Sequence, residues 1–257
     1  MTLLSDTSYI FVRYLKKLVR NPILLFFSLF QPIIFMLLFT QILSVLGSIP
    51  NYLPNGVTYT EFATAGILLQ NAFGSALQSG TSIVLDIDSG FLQKMLVTPV
   101  KRSAILLGRL TSDAFRVVIQ SAIILGIGYA IGAYVTTGFV GILLIFATIA
   151  FFGLAWSGIS LAIGMKTRSS ETVFAIGGFL TFPLLFLSSA LVPISHLATW
   201  IQNVSMFNPI NYAVNAIRAL MINGYDWSTI LQAYGVIALV AVVTMSATLY
   251  QFRKVVK

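Results

Sequence analysis

Residues 85–116 read LDIDSGFLQKMLVTPVKRSAILLGRLTSDAFR. This is the most polar window of a chain that is otherwise largely apolar. It holds three of the seven acids (Asp86, Asp88, Asp113) and five of the 15 bases (Lys94, Lys101, Arg102, Arg109, Arg116). Long apolar runs flank it on both sides. Inside it, Ile87, Phe91, Leu92, Met95 and Leu96 recur at helical spacing, with Gln93 and Lys94 opposite. Thr98-Pro99 stops this short amphipathic piece, because proline lacks a donor and biases the preceding residue away from helix. The basic pair Lys101-Arg102 follows, and the next apolar run begins.

The rest of the chain explains why such a piece matters. Hydrophobic residues make up 58% of the 257 positions and charged residues 9%, against about 25% charged in soluble domains. The reading is an all-α integral membrane protein. No cysteine is present, so thiolate metal sites and disulfides are excluded, and the single histidine, His196, cannot share a metal with another. A crossing helix needs roughly 20 apolar residues. Six runs qualify: 23–46, 62–85, 103–133, 139–165, 172–192 and 230–252, with Pro32 inside the first and Pro183 inside the fifth. The first run follows four bases and is too long for the apolar core of a signal peptide.

Orientation follows from the bases. If the spans alternate, 14 of the 15 Lys and Arg residues fall on one side, and the loops 47–60, 134–138 and 193–229 on the other carry only Arg218. Such a bias marks the cytoplasmic side. Both termini and the 86–102 segment are therefore expected in the cytoplasm. The net charge of +8 is membrane topology, not a nucleic-acid footprint. Residues 1–21 mix Tyr9, Phe11, Tyr14 and Leu18 with Arg13, Lys16, Lys17 and Arg20. This suits an amphipathic helix in the headgroup region, the plainer alternative being a basic flank to the first span. Segment 193–229 is too long for a turn and too apolar for a free loop. It is expected to form two half-helices that dip back into the membrane, the second starting after Asn208-Pro209 and ending at Asn223-Gly224.

Chemistry-bearing motifs are few. There is no G-x-x-x-x-G-K-[ST] phosphate loop and no H-E-x-x-H pair. In the second span Gln70, Gly74 and Gln78 fall four apart on one face beside Asn71 and Ser75. They suit either a substrate path or hydrogen bonding between helices. Phe179, Phe182 and Phe186 in the fifth span suit packing or pathway. Asp113 lies between Arg109 and Arg116 on one helical face, as a charge-neutralising cluster at the inner foot of the third span. The deeper parts of all six spans are read as lacking the acids, bases and histidine that ion-coupled carriers need near mid-membrane. The pattern predicts a membrane subunit driven by a separate motor that docks on the 86–102 segment. A motor-independent carrier or channel, and a membrane scaffold, are the alternatives.

Three pieces of the chain resemble the ABC-2 type permeases, in particular the daunorubicin-type drug-exporter branch. They are Arg20-Asn21-Pro22 leading into Phe30-Gln31-Pro32; Asp88-Ser89-Gly90-Phe91-Leu92 through Leu96-Val97-Thr98-Pro99-Val100 to Leu107-Gly108-Arg109; and Leu191-Val192-Pro193 followed by Asn208-Pro209-Ile210-Asn211-Tyr212 up to Arg218. Ala198 departs from the proline frequent there in relatives. The resemblance implies one transmembrane domain over 1–257, which pairs with a second permease copy as a homodimer. Each copy would dock on an ABC ATPase subunit, which carries ATP and magnesium; this chain would hold no cofactor or metal and would not itself be an enzyme. Asp86, Asp88, Ser89, Gly90, Phe91, Leu92, Lys94, Met95 and Pro99 resemble the family's coupling element. Gln70, Asn71, Gly74, Gln78, Phe182 and Phe186 would lie on the substrate path, and Pro209 and Arg218 in an outer motif. The expected activity is export of an amphipathic or apolar cargo (a drug, lipid or lipid-linked glycan) from the cytoplasm of a prokaryotic cell.

Overall fold

The computed structural model describes residues 3–50, 52–54 and 56–255. Lys257, counted above among the cytoplasmic bases, lies outside them. Helix α1 (Leu3–Val19) precedes α2 (Pro22–Ile42), which ends in a 3-10 turn, Ser44–Ser48. Helix α3 (Tyr59–Asp88) follows, then the six-residue α4 (Phe91–Leu96), α5 (Arg102–Ala130), α6 (Gly138–Thr167) and α7 (Ser170–Phe186). After a 3-10 turn at Ile194–His196 come α8 (Thr199–Ser205), α9 (Pro209–Arg218) with its π-turn Ala219–Asn223, and α10 (Trp227–Val255).

Local chemistry sets these limits. Thr58 and Glu61 form a reciprocal capping box that starts α3. Gly90 adopts φ 67°, a left-handed turn that separates α4 from α3. The fifth apolar run was expected to stay helical to residue 192, but α7 stops at Phe186. Pro183 has no N–H to give the Phe179 carbonyl, and the carbonyls past it have no further helical turn to satisfy them, a role that Asn208 takes in part. Its Nδ2 donates to the carbonyls of Leu184 (2.6 Å) and Leu187 (2.9 Å), while its Oδ1 caps α9 by accepting from Ile210 N–H at 3.0 Å. Helix α9 and its π-turn run from Pro209 to Asn223, the limits the sequence signals give.

Among the described residues, four helices are long and apolar enough to cross a membrane: Leu25–Ile42, Arg102–Ala130, Gly138–Thr167 and Trp227–Lys254. Helix α3 is more polar because other helices surround it. It packs on α2, α5, α6, α7 and α9, so 21 of its 30 residues meet protein instead of lipid. Close approach to α6 runs through Gly80 and Gly164. A Cβ on Gly164 would strike the Gly80 carbonyl, and one on Gly80 would strike Ser160. Buried Thr244 and Thr248 fasten α10 to α6 by donating to the carbonyls of Ala155 and Gly158, each at 2.7 Å.

Two apolar cores result. The larger fills the space between the long helices around Ile67, Leu68, Phe73, Phe152 and Ile217. The smaller lies at the bundle end that carries both termini. It joins Ile10 and Tyr14 of α1, Ile83 and Ile87 of α3, Leu92 and Met95 of α4, Ile105 of α5, Met165 of α6 and Phe252 of α10. Helix α1 is thus packed against the protein along one face, while its base Lys16, and Arg20 just past its end, stay exposed.

Candidate functional site

The polar window divides into a lock and a tip. Asp86 sits in the last turns of α3 and is only 2% exposed. Its Oδ2 accepts from Arg109 Nη1 at 2.9 Å and from the Tyr14 hydroxyl at 2.8 Å, and its Oδ1 lies 3.1 Å from Lys17 Nζ and 3.8 Å from Arg13 Nη2. Arg109 also donates to the Ser79 carbonyl at 2.8 Å and to Tyr14 Oη at 3.0 Å. One carboxylate therefore ties α1, α3 and α5 together. Burial pushes the Tyr14 phenol above its usual pKa, while Arg109 beside it pulls the other way. Arg13 also lies over the Phe91 ring, 3.3 Å from its centre, which extends the lock to α4.

This placement corrects part of the expected docking surface. Asp86, Leu92 and Met95 are buried in the chain itself, and Phe91 is engaged by Arg13. An amphipathic helix turns its apolar face to the nearest apolar surface, and here the small core that α4 shares with α1, α3, α5, α6 and α10 supplies it. What remains exposed is the tip: Asp88, Ser89, Lys94, Val97 and Pro99, with Gly90 at the bend and Val97 at 87% exposure.

The cluster expected within α5 is also rearranged. Arg116 pairs with Asp113 at 3.2 Å, but Arg109 leaves that face for Asp86. Asp113 accepts from Ser79 Oγ, and Arg116 donates to the carbonyl (2.6 Å) and hydroxyl (3.0 Å) of Ser75. At 1.5 Å rise per residue Arg116 stands about 21 Å along α5 from Arg102. It is near the middle of the helix, deeper than the foot of a span. The serines of α3 supply the hydrogen bonds that a pair so placed requires.

Above the lock, a cavity of about 430 Å3 opens between α2, α3, α5 and α7. Gln70, Asn71, Gly74, Gln78 and Phe182 all line it. Phe186 does not and is 62% exposed further along α7. Among the wall residues that sequence reasoning missed are the polar Gln31 beside Pro32, Gln120 and Thr181. A glutamine alone in an apolar run, as at 120, was the available signal. Gln120 Nε2 donates to Ser28 Oγ at 2.8 Å, and Asn71 Nδ2 to Ser121 Oγ at 3.3 Å. Gln70 Oε1, Gln120 Oε1 and Thr181 Oγ1 are buried without a hydrogen-bond partner. Unsatisfied polar atoms inside a protein cost free energy, so their grouping on one cavity marks a place for polar groups from outside the chain. Apolar Phe27, Pro32, Phe174 and Leu185 complete the wall. The site therefore suits an amphipathic molecule.

At the opposite end of the bundle, Pro209 begins α9 and Arg218 ends it. Arg218 donates to the Ser189 carbonyl at 2.6 Å and lies 3.7 Å over the Phe62 ring. Sequence comparison agrees with the architecture. Residues 6–222 match the ABC-2 type transporter family. The chain belongs to that family. It is a transport permease, the membrane-spanning subunit of an ABC transporter. A similar protein is the "Daunorubicin resistance ABC transporter permease protein DrrB1" of Streptomyces coeruleorubidus, 28% identical over 200 residues that cover 78% of this chain and 69% of the relative. Another is the "Probable doxorubicin resistance ABC transporter permease protein DrrC" of Mycobacterium tuberculosis, 25% identical over 217 residues, 82% of this chain and 75% of the relative.

Proposed function

We propose that this permease exports amphipathic or apolar compounds, such as drugs, lipids or lipid-linked glycans, out of the cytoplasm. Its energy comes from ATP, hydrolysed with magnesium on a separate ABC ATPase subunit. The six long helices cross the cell membrane with both termini in the cytoplasm, and residues 193–229 form an outer re-entrant segment.

The observation that carries this reading is the continuity of α3. Its middle lines the polar cavity through Gln70, Asn71, Gly74 and Gln78, and its end leads straight into the exposed tip. The ATPase docks on Asp88, Ser89, Lys94, Val97 and Pro99. Leu92 and Met95 pass its push to the small core, and Asp86 and Arg109 pass it to α3 and α5. The walls of the cavity then move with the motor. Phe26, Phe27 and Phe30 of α2, and Phe179, Phe182 and Phe186 of α7, are exposed on the two helices that carry Phe27 and Phe182 of the cavity wall. A second permease copy covers them, so that two cavities face one path.

The test uses inside-out vesicles that contain the permease and its ATPase. ATP should drive uptake of a fluorescent amphipathic dye, and Lys94→Glu with Val97→Asp should abolish uptake at unchanged permease levels. Gradient-driven uptake without the ATPase would overturn the reading in favour of a motor-independent carrier.

A further inference from the structure

The end of the bundle opposite the termini holds a second cavity, of about 500 Å3, under the segment that joins α2 to α3. Arg218 forms part of its wall with Ser189, Asn215 and Ser195, and Leu53 and Ile194 give it an apolar rim. Arg218 is the only base in the sequence of this end's loops, and no carboxylate of the described residues comes within 4.0 Å of it. Its contacts are all neutral: the carbonyl and hydroxyl of Ser189 at 2.6 and 3.1 Å, Asn215 Oδ1 at 3.3 Å and the Phe62 carbonyl at 3.5 Å. Its Nε is buried without a partner. The lock at the other end shows what this chain does with a buried arginine: Arg109 meets Asp86 at 2.9 Å. A guanidinium held by dipoles alone, against a cavity with no acid in its wall, is a charge without its counterion.

We propose that this cavity binds an oxyanion, as a phosphate group, against Arg218. Asn215 Nδ2 and the Ser195 hydroxyl make no hydrogen bond among the described residues, so both are free to donate to it. Charge-assisted contacts from a guanidinium plus neutral donors are the usual recognition set for such a group. The phosphate belongs either to a lipid headgroup, whose chains the apolar rim accepts, or to a free anion. The site is independent of the cavity between α2 and α7 and does not rest on the exporter reading.

The test measures thermal unfolding of the purified full-length chain in a neutral detergent. Three probes are titrated: dihexanoyl phosphatidylglycerol, inorganic phosphate and dihexanoyl glycerol. Saturable stabilisation by the phosphatidylglycerol alone assigns a lipid headgroup. Stabilisation by inorganic phosphate assigns a free anion. The uncharged glyceride should do nothing. Arg218→Gln should weaken the effect roughly tenfold or more, the size of one lost charge-assisted contact. Ser195→Tyr removes one donor and narrows the cavity at its wall while leaving the partners of Arg218 in place, so it should weaken the effect roughly tenfold as well, and this variant decides alone if Arg218→Gln does not fold. Arg20→Gln, in the exposed turn after α1, should leave it unchanged. No saturable effect on the native chain, or full retention in either cavity variant, overturns the proposal.

Discussion

Asp86→Asn tests the lock between the surface helix and the bundle. The substitution keeps shape and removes charge. Arg109 then remains 2% exposed with neutral partners alone: the Ser79 carbonyl, the Tyr14 hydroxyl and the amide oxygen that replaces the carboxylate. Removing one member of a buried ion pair costs about 3–5 kcal/mol, because the other is left uncompensated. Here Lys17 and Arg13 are 45% and 33% exposed and regain water, so the lower end, about 3 kcal/mol, is expected. For a chain of this size that is a fall in Tm of roughly 6–12 °C. Thermal unfolding in detergent measures it, with exposed Asp88→Asn as control at under about 0.5 kcal/mol. Adding Arg109→Met to Asp86→Asn should cost well less than the sum of the two single changes, a coupling of about 2 kcal/mol. Trypsin should also cut faster at Lys16, Lys17 and Arg20 as α1 loosens. The reasoning is refuted if Asp86→Asn behaves as Asp88→Asn does, or if the two changes simply add.

Other expectations follow from the same structure. Thr181→Val should lower transport severalfold and leave Tm unchanged or slightly raised, since it removes an unpartnered buried hydroxyl; a clear loss of Tm would show that the hydroxyl is satisfied. Thr248→Val, which removes the bond to the Gly158 carbonyl, should cost about 1 kcal/mol, read from the same unfolding curves. Asp226 starts α10 by accepting from Thr229 and Ser228, which holds its carboxyl down from 3.8 to about 2. A depressed acid stabilises the fold above its unfolded pKa. That contribution is therefore present above about pH 4 and is lost as pH falls towards 2. An NMR titration of the carboxyl should give the midpoint near 2; a midpoint near 3.8 would show the cap is not formed.

Most of the fold was legible in the sequence because membrane helices announce themselves by long apolar runs. The exceptions have physical causes. The run 62–85 reads as a span like the others, yet α3 carries glutamines, serines and small residues through its length and is not among the four helices most apolar in the structure, because protein surrounds it. The stop at Phe186 depends on Asn208, more than twenty positions away, and periodicity does not see such a partner. At the candidate site, the 3.6-residue period picked out Gln70, Gly74 and Gln78 as one face, and that face lines the cavity. It equally identified the apolar face of α4, but period alone does not say what covers a face. Leu92 and Met95 therefore read as docking residues although they are buried in the chain's own small core. The pairing of Arg109 with Asp86 was hidden because Asp113, four residues on in the same helix, was the nearer candidate in sequence.

The central claim is that an ATPase subunit engages the tip formed by Asp88, Ser89, Lys94, Val97 and Pro99. The most direct measurement is to purify the chain from its native membranes in mild detergent and assay ATP hydrolysis in the eluate. The account predicts a co-purifying ATPase that is lost with Lys94→Glu and Val97→Asp and retained with Arg20→Gln. A well-folded chain that brings down no ATPase, or one that keeps it after the tip is changed, would contradict it.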